Sequence, residues 1–144
     1  MQYLKQFIFG FVVILLIGSV CSCNFAPRMK ALDAEISNYP GISYSDLREL
    51  INNNSVFLVD ANERETYEEG HIPGAVNFSE ADSKFDQELP QEKDELIVCY
   101  CGSEKCLAWL KAAKELSFLG YNNVKHFKAG IKGWKKLDSE IEKG

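Results

Sequence analysis

The stretch Glu95-Leu96-Ile97-Val98-Cys99-Tyr100-Cys101-Gly102-Ser103-Glu104-Lys105-Cys106-Leu107-Ala108-Trp109-Leu110 decides how the rest of the chain is read. Leu96 to Tyr100 is apolar at successive positions, which suits a strand covered on both faces. The run stops at Cys101, and four small or polar residues follow. From Cys106 the spacing of Leu107, Leu110, Lys111, Ala113 and Lys114 predicts a helix with one buried and one wet face. Cys101 is therefore expected at the tip of a buried strand, in a short loop that opens a helix. Such a loop turns backbone N–H groups inward, and the helix adds its positive end. A thiol there is expected to have a lowered pKa and to act as a nucleophile or sulfur carrier. The competing reading is a small buried residue without chemistry, since free Cys is often buried.

On either side, strands alternate with helices. A helix is expected from Ser43, with Asp46 in its first turn and Leu47, Leu50 and Ile51 inward, ending at Asn52-Asn53-Asn54. Val56 to Val59 reads as a central strand that ends at Asp60. Glu63 to Glu69 reads as a short acidic helix, and His71-Ile72-Pro73-Gly74 as a turn. A strand over Ala75 to Phe78, a helix over Glu80 to Leu89 and the Cys101 strand follow. After the next helix come Gly120 as its cap, a strand over Val124 to Phe127, and a last helix with Ile131, Trp134 and Leu137. This alternation predicts an α/β fold with a mainly parallel sheet and helices on both faces. In such sheets the ligand site lies beyond the carboxyl ends of the strands. Asp60, Cys101 and the Lys128-Ala129-Gly130 turn should gather there.

The N-terminus reads as a targeting segment. Phe7 to Val20 carries no charge and is short for a membrane span of about 20 residues. It runs into Val20-Cys21-Ser22-Cys23, which resembles a bacterial lipoprotein cleavage box with Cys23 as the lipidated residue. Cys21 fits less well, because Val20 is too large for the small-residue site before it. Expected boundaries are a signal peptide over 1–22, a tether over 23–39 with one or two turns of helix, and the folded domain over 40–144. An uncleaved signal anchor and simple cleavage are the rivals. All three place the domain outside the cytoplasm; the first makes it a membrane-anchored lipoprotein of the cell envelope or periplasm.

Three blocks strongly resemble the rhodanese-like family. They are Asp60 to Asn77, including His71-Ile72-Pro73-Gly74; Val98 to Ser103 followed by a helix; and Leu119 to Val124 through Gly130-Ile131-Lys132-Gly133-Trp134. The resemblance implies a five-stranded α/β domain whose loop cysteine carries sulfur as a persulfide. Cys101 matches the catalytic cysteine. Gly102, Ser103, Glu104, Lys105 and Cys106 match the loop that cradles the bound sulfur or anion, and Asp60 matches the aspartate that opens the first block. The implied activity is sulfurtransfer from a donor such as thiosulfate to a thiol or cyanide. The chain departs from the family pattern at Asn62, where Arg is common, at Glu104-Lys105-Cys106 in the loop, and at Ala129, where Gly is usual. Glu104 would weaken an anion site if it pointed inward, and Lys105 would strengthen it.

Cys106 is either a helix-start residue packed on the loop or a resolving thiol for Cys101. A non-catalytic sulfur-binding or thiol-redox module using Cys101 and Cys106 is the alternative function. A phosphatase of the related cell-cycle type needs an Arg at the sixth position after the cysteine, where this chain has Leu107. Cys99 is expected in the core and His126 in a structural role. The lysines at 125, 128, 132, 135 and 136 either rim the site or form a solvated face. With His71 and His126 far apart and no paired Cys spacing, no metal or cofactor is expected. The net charge of −5 argues against a nucleic-acid partner. The expected partners are a small sulfur-containing anion or thiol and, through the lipid, a membrane; a monomer is expected.

Overall fold

The computed structural model describes residues 25–78, 83–137 and 140–144. The expected signal peptide, Cys23, and the start of the helix expected from Glu80 lie outside the described residues. The elements run α1 (Phe25–Ser37), α2 (Tyr44–Asn52), β1 (Phe57–Asp60), α3 (Arg64–Glu69), β2 (Ala75–Asn77), α4 (Ser83–Glu88), β3 (Ile97–Tyr100), α5 (Ala108–Phe118), β4 (Val124–His126) and α6 (Gly130–Leu137). The strands lie in the order β2-β1-β3-β4, and every pairing is parallel. This is the expected α/β architecture with helices on both faces.

The continuous apolar runs form the two central strands. All four residues of β3 have zero exposure. Alternation along β3 divides the core in two. Ile97, Cys99 and Cys101 face Trp109, Leu110, Ala112, Ala113 and Leu116 of α5. Val98 and Tyr100 face Leu47 of α2 and Ile131 and Trp134 of α6. The α2 boundaries follow the expected chemistry: Ser43 Oγ accepts from Asp46 N–H at 3.2 Å, and Asn54 takes φ +52 just past the end.

Two expectations are corrected. The sheet has four strands among the described residues, where five were expected. The fifth place holds one parallel bridge, Gly41 to His126, made by His126 N–H to Pro40 C=O and Ile42 N–H to His126 C=O, each 3.0 Å. Pro40 has no N–H to donate, so the edge pairing cannot extend backward.

The tether is also more structured than expected. Residues 25–37 form one helix of 13 residues, against the one or two turns expected. Leu32, Ile36 and Tyr39 pack on the α5 side of the core. The Tyr39 ring meets Trp109 edge-on at 6.0 Å. Its hydroxyl lies 3.2 Å from Ser117 Oγ, and Lys114 pairs with Glu35 at 3.0 Å. These last two contacts have nearly equal sequence offsets, 78 and 79, so α1 advances alongside α5 in the same sense. The ion pair is half-exposed and adds little; the apolar contacts hold the helix.

If α1 belongs to the folded unit, Ile36→Ala removes part of that contact. We expect a loss of about 1–2 kcal/mol, read as a lower urea midpoint with an unchanged slope. A midpoint equal to that of the parent would show that the helix is a free tether.

Candidate active site

The carboxyl ends of the strands bring Asp60, Asn77, Cys101 and Phe127 to one edge of the sheet. Cys101 follows the last residue of β3. Its carbonyl accepts from Ile131 N–H at 2.9 Å, and the Gly102 carbonyl accepts from Lys132 N–H at 3.1 Å. Both donors lie in the first turn of α6, where N–H groups have no partner inside the helix. In a planar trans peptide the N–H points opposite to the C=O. The N–H groups of Gly102 and Ser103 therefore point away from α6, where an anion could take them.

The close approach of α6 depends on Gly130, which has φ +60. A Cβ there would collide with the Cys101 carbonyl oxygen and come within 2.8 Å of Ser103 N. This supporting role was missed in the sequence, where Ala129-Gly130 reads only as a turn. The position after a strand, before a helix, was the available signal.

The loop is longer than expected. The helix expected from Cys106 begins at Ala108, and Leu107 is 46 % exposed instead of facing the core. Cys106 N–H bonds to Ser103 C=O at 3.0 Å, and this turn delays the helix. Cys106 is joined to Cys101 by a disulfide with a Cα separation of 6.2 Å. The spacing therefore does permit the bridge. Cys101 is 1 % exposed and Cys106 partly exposed, so in this form the first sulfur is both bonded and covered. Glu104 and Lys105 are exposed at the loop's rim, so neither carboxylate nor ammonium is packed inside. Cys99 is a free, fully buried thiol, as expected, and burial pushes its pKa up; it has no nucleophilic role.

Asp60 supports this edge from below. It is 1 % exposed, and its Oδ1 accepts from Asn62 N–H at 2.8 Å and from Asn62 Nδ2 at 2.6 Å. Asn62 in turn approaches Gly102: a Cβ on Gly102 would sit 3.3 Å from Asn62 Oδ1. Asn77 Nδ2 donates to the Asp60 and Asn62 carbonyls at 3.2 and 2.9 Å. Asp60 Oδ2 meets no partner with good hydrogen-bond geometry, although the Tyr100 hydroxyl is near enough to act on the carboxyl. Burial raises the Asp60 pKa, and the Asn62 and Tyr100 contacts and the His71 charge only partly offset it. His126 stacks on Trp109 at 3.5 Å; burial and Lys128 lower its pKa to about 4, which fits a structural, neutral imidazole. Among the described residues, no group of His, Cys, Asp or Glu is placed to hold a metal ion.

A covered cysteine at the tip of a central strand, in a backbone loop gripped by a helix start, defines the class: an α/β domain with a cysteine loop at the carboxyl edge of its parallel sheet. Residues 43–137 match the Rhodanese-like domain, and the chain belongs to that family. It is 28 % identical over 120 residues to the mouse thiosulfate sulfurtransferase/rhodanese-like domain-containing protein 3, covering 72 % of this chain and 73 % of that one. It is 28 % identical over 98 residues to thiosulfate sulfurtransferase GlpE of Coxiella burnetii, covering 67 % and 88 %. The crystal structure of BH2092 from Bacillus halodurans superposes with a TM-score of 0.64 at 26 % identity, covering 81 % and 86 %. The human single-domain sulfurtransferase TSTD1 shares the fold at 20 % identity, with a TM-score of 0.58.

Two variants check the supports. Gly130→Ala should cost at least about 2 kcal/mol, from strain at φ +60 plus the clash with the loop. Gly120→Ala, with φ +94 but open space around it, should cost only about 1 kcal/mol. Equal losses in urea unfolding would show that the loop yields freely. For Asp60, a folded pKa above the unfolded 3.8 means that the folded state binds more protons in that window, so stability falls as pH rises through it. Asp60→Asn should therefore be more stable than the parent at pH 7, by on the order of 1 kcal/mol. The gap should close on acidification below the carboxylate range, and a gap independent of pH would refute the assignment.

Proposed function

We propose that the protein is a sulfurtransferase that carries sulfane sulfur as a persulfide on Cys101. One observation supports the reading above the rest: Cys101 occupies the tip of β3 inside the helix-gripped loop, and it is the residue that the sequence resemblance pairs with the family's catalytic cysteine. The names of the curated relatives fit the same chemistry. In the reduced protein the Cys101 thiolate attacks the outer sulfur of thiosulfate. The S–S bond of the donor breaks, sulfite leaves with the electron pair, and Cys101–S–S⁻ remains. The backbone N–H groups of Gly102 and Ser103, which face away from α6, hold the extra charge, with Lys105 at the rim. A thiol or cyanide then takes the outer sulfur, and the two half-reactions give ping-pong kinetics. Asp60 acts through Asn62 as a support of the loop, not as an acid or base.

We further propose that the domain is anchored outside the cytoplasm through a lipid on Cys23. Because α1 runs in the sense of α5, the start of α1 at Phe25 lies toward the end of α5 that carries the Cys101 loop. An anchor just before Phe25 would hold the reactive edge toward the membrane, within reach of donors at its surface.

The disulfide favours one other reading, a thiol-redox module without sulfur transfer. Mass spectrometry separates the two. Reduced, desalted protein treated with thiosulfate and then acid-quenched should gain one sulfur atom on Cys101 at early times. Cys101→Ser should gain none, and cyanide should discharge the sulfur as thiocyanate. A wild-type protein that forms the disulfide without ever releasing sulfite is a redox module.

A further inference from the structure

We infer that, provided Cys101 carries sulfur as proposed above, Cys106 is the group that unloads it, releasing the sulfur as sulfide. The disulfide places the two cysteine sulfurs in bonding contact at a Cα separation of 6.2 Å, inside the usual range for a bridge. Cys106 Sγ therefore reaches the inner sulfur of a Cys101 persulfide through the geometry the loop already holds. The turn from Cys106 N–H to Ser103 C=O and the grip of Ile131 and Lys132 on the two carbonyls keep it there.

The step balances without any outside oxidant. The Cys106 thiol attacks Cys101 Sγ. A Cys101–Cys106 bond forms, the bond from Cys101 Sγ to the outer sulfur breaks, and that sulfur leaves as HS⁻ with the electron pair. The Cys106 thiol is oxidised to the disulfide level, and the sulfane sulfur is reduced to sulfide. The sum is Cys101–S–S⁻ plus Cys106–SH giving the disulfide plus HS⁻. A low-molecular-weight thiol or a dithiol reductant then resets the pair. Cys106 is the more exposed partner, so exchange is directed at its sulfur and frees Cys101 as the thiolate. The overall reaction is thiosulfate plus two thiols to sulfite, hydrogen sulfide and a disulfide.

Proximity decides between this route and direct transfer to a solution acceptor. An attacking group held in position acts at an effective concentration far above the millimolar range of free thiols. Cys99 cannot compete, because it is fully buried and unbonded in the core. A Cys101–Cys106 disulfide formed by this step is the product of a turnover and needs no oxidising medium.

The test uses reduced protein, desalted without oxygen and mixed with thiosulfate and no added thiol. Sulfite, sulfide and protein mass are followed together. The expected result is one sulfite and one sulfide per wild-type chain, ending two hydrogens lighter than the reduced protein. Cys106→Ser, and Cys106→Ala as a second variant, should release one sulfite, keep one extra sulfur and release no sulfide. A wild-type chain that keeps its sulfur as the variants do overturns the inference and leaves the sulfurtransferase reading in place. Equal sulfide from wild type and variants also overturns it. No sulfite from any of them overturns both. The wild-type arm is informative even if both variants fold poorly.

Discussion

The loop that carries Cys101 is held by two backbone hydrogen bonds from the start of α6, Ile131 N–H to Cys101 C=O and Lys132 N–H to Gly102 C=O. Several features of the molecule follow from them. They require the α6 backbone to touch the loop, which admits only a glycine at 130. They require β4 to end one turn before that contact, so that Phe127 and Ala129 can bring α6 under β3. They also use helix-terminal donors that would otherwise need water or an anion. Orienting the loop carbonyls toward α6 leaves the loop N–H groups facing away from it. The anion binding proposed for this edge thus rests on backbone direction, set by a neighbouring helix, more than on any charged side chain.

Below the loop, the polar residues of the strand ends are tied to one another and not to solvent. Asp60, Asn62 and Asn77 bond among themselves and to backbone. A buried carboxyl with one oxygen lacking a well-aligned partner destabilises the fold unless it does something else. Its contribution here is geometric. Asp60 fixes Asn62, and Asn62 occupies the space beside Gly102. Asn62 stands at a position where the resembled family commonly has Arg, so in this chain the side chain beside Gly102 is neutral. The charges that remain near Cys101, on Glu104 and Lys105, are exposed at the rim.

What could be read from the residues alone divides along physical lines. The position of β3 and the placement of Cys101 at its tip were legible, because a run of buried residues ending in small polar ones leaves few choices. The α2 boundaries were legible because capping is local. Gly130 was not, because its constraint comes from a backbone contact with Cys101, 29 positions earlier in sequence, roughly the separation across a strand–helix–strand unit. The α1 helix was underestimated because, among the described residues, its core contacts are Leu32 and Ile36, with Tyr39 just beyond it, too sparse a stripe to stand out. The fifth strand was overestimated because Pro40 halts an edge pairing that family resemblance implies. The late start of α5 reflects a local turn closed by Cys106 N–H on Ser103 C=O, which apolar periodicity does not register.

The two cysteines make the loop a device with mutually exclusive states. In the bridged state Cys101 has no free valence for a donor and almost no exposed surface. Breaking the bridge frees that valence, beside a loop whose Gly102 and Ser103 N–H groups face away from α6. Six residues close this ring, so the chain-entropy cost of holding it shut is about 2 kcal/mol. That is a sizeable share of a domain's net stability, and Cys101 belongs to the α5-side core with Cys106 packed against it. The bridge therefore couples the chemistry of this edge to the stability of the domain. The remaining determinant is the reducing power available to Cys106, the partner that solvent can reach.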